Sequence, residues 1–208
     1  MKRTAIAFLV VACAAALIPQ ALEAGVGIKA GYSLSKFAVV SAGAVPNYDY
    51  LKFYTGGVFF EIKLGFVSVQ PEILYARMGA DLEIDTTSHL ESRFEYIQAP
   101  VLLKLSIVPA GPVRPFLCGG GYGSYLIKAS GITWINDVIE GDPLDLTDTY
   151  KKYDYGFVGG AGLAIKLPGI SVSLEGRYNY GLMNLYIDPA AGESIKNRSI
   201  MVLLGIGF

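Results

Sequence analysis

Residues 153 to 182, YDYGFVGGAGLAIKLPGISVSLEGRYNYGL, alternate in polarity on both sides of a Pro-Gly pair. In the first half Tyr153, Tyr155, Phe157, Gly159, Ala161, Leu163 and Ile165 share one face; Asp154, Gly156, Val158, Gly160, Gly162, Ala164 and Lys166 share the other. A period of two is the mark of a β-strand. After Leu167 the pattern resumes, with Ile170, Val172, Leu174, Gly176, Tyr178 and Tyr180 against Ser171, Ser173, Glu175, Arg177, Asn179 and Gly181. Pro168-Gly169 suits the centre of a tight turn, and pairing across it brings both apolar rows to one face of a hairpin. An apolar sheet face needs a covering layer. What covers this one decides the class of the whole chain.

Composition narrows the choice. Of 208 residues, 52% are hydrophobic and 17% charged, against about 25% charged in an ordinary soluble domain. Past the N-terminus no run approaches the roughly 20 apolar residues of a membrane-spanning helix, so the apolar content belongs to strands. A formal net charge of -1 implies no bulk attraction to nucleic acid. The length suits one sizeable domain.

The first 24 residues read as a secretory signal, removed before folding. Lys2 and Arg3 form the charged start, Ala5 to Ile18 the apolar core, and Leu22-Glu23-Ala24 the cleavage site. A rival reading takes Val10-Val11-Ala12-Cys13 as a lipoprotein box with Cys13 acylated; the apolar core continuing through Ala14 to Ile18 argues against it. Without Cys13, Cys118 is the only thiol, which excludes an internal disulfide framework.

The mature chain, 25 to 208, repeats the alternation. Strands are expected over 25–35, 51–63, 67–75, 94–107, 113–128, 153–167, 170–182 and 197–208, with long loops at 37–49, 79–92, 129–152 and 183–196 and short turns between the other pairs. Pro71 lacks an amide donor, so a bulge or a gap in the ladder is expected there. The run Gly119 to Gly121 blurs the phase of the fifth strand and leaves the faces of Cys118 and Tyr122 unassigned.

Eight strands joined alternately by long and short connections define an all-β, eight-stranded antiparallel up-and-down transmembrane β-barrel, with short periplasmic turns, long external loops and both termini periplasmic. Only helices and closed barrels satisfy every backbone group in lipid, and the missing cover of the opening hairpin is then lipid. The inward face would carry Lys29, Glu61, Lys63, Glu72, Lys104, Glu175 and Arg177, with Gln70, Gln98 and Asn179 between them. An eight-stranded barrel is just wide enough for its own side chains, so a lumen filled by ion pairs among Lys29, Glu61, Glu72, Lys104, Glu175 and Arg177 is expected in place of an open pore. Lys63 and Lys166, beside turns, suit the mouths. A soluble lipocalin-like barrel would put its apolar face inside, and a lumen holding Glu175, Arg177 and Asn179 would make a poor hydrophobic pocket. Tyr155, Tyr178 and Tyr180 fit either an interfacial girdle or a cross-strand aromatic cluster.

The segments GIKAGYSLSKF (27–37), VQPEILYARMG (69–79), YIQAPVLLKL (96–105), RPFLCGGGYGSYL (114–126), LEGRYNYGLMNL (174–185) and NRSIMVLLGIGF (197–208) together resemble the bacterial outer-membrane β-barrel family called porin-like or PorT-like, related in architecture to the eight-stranded OmpX and OmpA barrels. The resemblance implies outer-membrane lipid as the surroundings and recognition of a C-terminal Phe208 by the barrel-assembly machinery. It also implies external partners reached through the long loops. It does not imply one job, since members are defined mostly by the barrel.

Some such barrels are enzymes or secretion components, which makes Ser88, His89 and Glu91 worth weighing; within four residues of a loop they do not amount to a triad, which needs a rigid scaffold. Asp137, Glu140, Asp142, Asp145 and Asp148 lack the spacing of a calcium loop, and Gly119 to Gly121 does not precede a helix as a phosphate-binding motif does. No catalytic residue, metal or cofactor is expected, and no nucleic-acid partner.

Overall fold

The computed structural model describes residues 23–40, 48–83, 88–108, 111–136, 138–188 and 193–208. The expected signal segment, with Cys13, lies outside them except for Glu23 and Ala24, which open the first strand opposite Lys63 and Ile62. The strands are β1 (Glu23–Val40), β2 (Tyr48–Asp49), β3 (Leu51–Leu64), β4 (Val67–Glu83), β5 (Ser88–Ser106), β6 (Val113–Ile135), β7 (Val138–Asp145), β8 (Tyr153–Leu167), β9 (Ile170–Gly181) and β10 (Ser194–Gly207).

All pairings are antiparallel. Eight strands run in the order β1, β3, β4, β5, β6, β8, β9, β10, and β10 returns to β1 over 14 residue pairs from Gly27–Gly207 to Val40–Ser194. The ring is closed, so none of the eight presents a free edge to lipid. Two tight turns close hairpins at one end. Gly65 (φ 71°) and Gly169 (φ 80°) take the left-handed conformation that an L side chain resists.

Exposure follows the alternation. Ile28, Val58, Ile73, Val101, Leu103, Leu174 and Val202 stand outside, and Gln70, Gln98, Glu175 and Asn179 are buried inside. In β6 the even positions from Phe116 to Leu126 point inward, so Cys118 and Tyr122 both face the lumen. At Pro71 the ladder has gaps and no bulge. Pairing with β3 skips Phe60–Pro71 and Glu61–Gln70, and pairing with β5 skips the two positions that would include Pro100, with the register unchanged on either side.

The long segments away from the tight turns are not all loops. Residues 79–83 and 88–92 continue β4 and β5, so that only 84–87 separate the strands, and 129–145 folds largely into the end of β6 and its partner β7. Likewise β1 runs on to Val40, β2 adds two pairs to β4, and β10 begins at Ser194. Polarity reads as loop in these stretches because it inverts. Above Tyr75 and Tyr96 the inward residues are apolar, with Met78, Ala80, Phe94 and Ala129 all buried, whereas the outward ones are Arg77, Arg93, Glu95 and Lys128. A bulge marks the change. Glu95 pairs with Lys128 and Tyr96 with Leu126, so Ile127 is the extra residue and the phase of β6 shifts there.

Candidate functional site

The interior of the ring gathers buried side chains of both charges. β8, hydrogen-bonded between β6 and β9, leaves room beside them, because it points Gly156, Gly160 and Gly162 inward. A Cβ at Gly156 would lie 2.9 Å from the Tyr122 hydroxyl, one at Gly160 3.1 Å from Arg177 Cγ, and one at Gly162 2.5 Å from the Phe116 ring.

At the centre, Arg177 donates two parallel hydrogen bonds to Glu72, both 2.7 Å, and lies 2.5 Å from Glu175. Lys29 Nζ bridges the same two carboxylates at 2.7 Å each. All four side chains are almost wholly buried. Two cations thus face two anions, the condition under which buried charge is tolerable. Gln70 continues the chain, donating to Glu72 and accepting from Lys104 at 2.9 Å. Lys104 reaches Glu61 at 3.3 Å, and Ser68 donates to Glu61 at 2.8 Å. Lys63, 3.8 Å from Glu61, stands at the mouth with a third of its side chain exposed, and Lys166 is exposed beside the Pro168-Gly169 turn. Lys29, Glu61, Glu72, Lys104, Glu175 and Arg177 therefore lie along one connected path.

Above it a polar layer leads to an apolar plug. Asn197 donates to Asp154 at 2.9 Å and to Tyr96 at 3.3 Å. Phe37, Met78, Phe94, Leu126, Ile195 and Met201 then fill the half of the lumen away from the tight turns, where Leu185, Tyr150 and Tyr186 fold in from the connections. Backbone bonds from Lys151 to Leu185 and from Leu185 to Ile195, each 2.9 Å, hold this cap. Thr147 ties the cap to the barrel by accepting from the Ala129 amide at 3.0 Å, and its hydrogen bonds to Asp145 hold that carboxyl below its ordinary pKa. Phe37, Tyr150, Leu185, Tyr186 and Ile195 sit in stretches that read as loop, whereas Phe94, Leu126 and Met201 lie in expected strands, so no plug is legible from either set alone.

Ser88, His89 and Glu91 lie on β5, and strand alternation puts Ser88 on the face opposite to the other two. Glu91 is bound by Arg93 at 2.6 and 2.7 Å and by the Trp134 indole at 3.3 Å, while His89 stacks on Trp134 and lies 3.9 Å from Asp81. Ser88 is therefore not aligned with His89 and Glu91. Among the described residues no group of three or more His, Cys, Asp or Glu could hold a metal.

Outside, tyrosines ring the barrel below the polarity inversion. Tyr32, Tyr54, Tyr125, Tyr153, Tyr155, Tyr178 and Tyr180 are all exposed, and Tyr32–Tyr54 and Tyr125–Tyr153 also meet across strands with centroids 4.9 and 5.3 Å apart. Toward the tight turns the exposed aromatics are Phe60, Phe66 and Phe208. Phe208 ends the chain beside β1, its amide donating to the Val26 carbonyl at 2.8 Å.

An apolar belt bounded by aromatics around a polar, paired interior defines an integral membrane β-barrel. The model of the outer membrane protein beta-barrel domain matches residues 19–186, and the chain belongs to that family of the bacterial outer membrane. Its fold is similar to that of OprG from Pseudomonas aeruginosa, with TM-score 0.52, 10% identity and coverage of 90% of this chain and 97% of that one. It is also similar to Neisserial surface protein A, with TM-score 0.51, 13% identity and coverage of 89% and 97%. Among curated proteins none is significantly similar in sequence.

Proposed function

We propose that this protein is a non-enzymatic surface barrel, closed to solute flow, whose tight turns and both termini face the periplasm and whose β4–β7 sheet and connections meet partners outside the cell. The observation that carries this reading is the double inversion of polarity along β4, β5 and β6. Between the aromatic belts the barrel is apolar outside and charged inside; beyond the tyrosines it is charged outside and apolar inside. Each stretch is arranged for its own solvent, lipid and then water. Long external strands carry interaction surface, and the apolar plug and the ion-pair path leave the lumen structural. The predicted cleavage after Ala24 would leave Gly25 at the periplasmic mouth, beside Phe208.

Single cysteines at Gly141 and Gly169, in a Cys118→Ser background, test the orientation. A membrane-impermeant maleimide on intact cells should label the first and spare the second, and the opposite pattern would overturn it. Stepwise ion conductance by the purified protein in planar bilayers would refute a closed lumen.

A further inference from the structure

The end of the lumen nearest the tight turns is not filled. A cavity of about 550 Å³ opens there below the ion-pair path, a size in the range of small-molecule sites. Among the described residues its walls carry four cations, Lys63, Lys104, Arg114 and Lys166, and one side-chain carboxylate, Glu61. Even with a carboxylate at Phe208 counted, positive charge is in excess.

That excess is graded by depth. Glu61 is already engaged by Lys104, Ser68 and Lys63, and Lys104, buried and 4.3 Å above the Phe116 ring, is the innermost cation. Nearer the opening, Arg114 pairs across strands with Ala164, and Lys166 stands two residues beyond on the same face. The two are diagonal neighbours, roughly 7–8 Å apart by strand geometry. Arg114 commits only Nε, to the Gly111 carbonyl at 3.1 Å. Deeper in, Phe59 and Phe116 present ring surface. Low-dielectric walls around a mouth of one sign focus its field.

We infer that this mouth binds a small anionic amphiphile, its acidic headgroup between Arg114 and Lys166 and its short apolar chain directed inward against Phe59 and Phe116. The headgroup belongs at the rim because Arg114 keeps its terminal nitrogens there, while the innermost cation is already neutralised by Glu61. The inference rests on the closed-barrel reading, and on the proposed orientation only for the compartment that supplies the ligand.

Hexyl phosphate is the probe, titrated into the full mature chain in phosphatidylcholine nanodiscs and followed by calorimetry, with hexanol and inorganic phosphate as comparisons. Saturable binding at one site is expected, at least tenfold tighter than either comparison. The double variant Arg114→Gln/Lys166→Gln should weaken it at least tenfold with no change in the heat-dependent gel shift that reports a formed barrel, and Arg114→Lys/Lys166→Arg should restore it. No saturable binding, equal binding of hexanol, or undiminished binding by the glutamine variant overturns the proposal while leaving the barrel reading intact; loss of the gel shift in the wild type would instead strike at the barrel. In phosphatidylglycerol nanodiscs, weakened apparent affinity identifies the lipid headgroup as the competing source, and unchanged affinity identifies a soluble anion.

Discussion

Arg177 meets Glu72 across the lumen through two parallel hydrogen bonds of 2.7 Å, joining residues 105 positions apart in the chain. The same guanidinium touches Glu175, and Lys29 closes the square. Arg177→Leu would leave two buried carboxylates with one cation. Breaking a buried pair from one side costs about 3–5 kcal/mol, so its unfolding midpoint in denaturant should fall well below that of Lys151→Leu in the cap. Because the partners act as a unit, Glu72→Leu/Arg177→Leu should lose less than the sum of the single variants. Equal midpoints for Arg177→Leu and Lys151→Leu would show that the ion-pair path does not hold the barrel together.

The bare wall of β8 gives a steric test. A methyl group at Gly162 would fall 2.5 Å from the Phe116 ring and 2.6 Å from the Leu174 carbonyl, whereas at Gly159, on the lipid face, it would meet nothing within 4 Å. Gly162→Ala should lower stability by about 1–3 kcal/mol through overpacking, and Gly159→Ala should change it little. Guanidinium unfolding of the two variants in the same detergent checks the contrast.

Depth within lipid gives another. Leu174 is exposed midway between the turn at Gly169 and Tyr180 and faces the acyl chains. Leu174→Arg should cost about 2–4 kcal/mol in bilayers, and Tyr153→Arg at the water interface roughly 0–1 kcal/mol. Similar costs at both positions, measured by reversible unfolding into vesicles, would place the membrane elsewhere on the barrel.

Cys118 offers a native probe of the lumen. It is buried between Lys104 and Gly160 on the neighbouring strands. In the folded protein it should resist a thiol reagent, and it should react fully once the barrel is unfolded. Fast reaction of the folded protein would mean that the opening at the turn end extends past Lys104 to Cys118.

How much of this was legible beforehand depends on the residue. The hairpin from Tyr153 to Leu182 was readable in full, since alternation, turn and partner are all local. Lys29, Glu72, Glu175 and Arg177 were readable as inward residues, but that one guanidinium would bridge Glu72 and Glu175 depends on a ring closing between β1 and β10. Residues 79–83, 88–92, 129–136 and 138–145 misled for a physical reason. Their outward positions face water and carry charge, so composition resembles a loop even though the two-residue period persists. In β6 the glycine run hid the phase, and the extra residue Ile127 reverses it.

Alternation, turn residues and the count of strands determine by themselves that this chain is a barrel turned outward to lipid, because period two is set by the backbone and needs no partner to be seen. Which side chains meet inside, where the interior changes from ion pairs to an apolar plug, and what is left open at the turn end are decided only by the tertiary structure. Ring closure brings strands more than a hundred residues apart to within a hydrogen bond of each other, and no local pattern encodes a distance across a lumen.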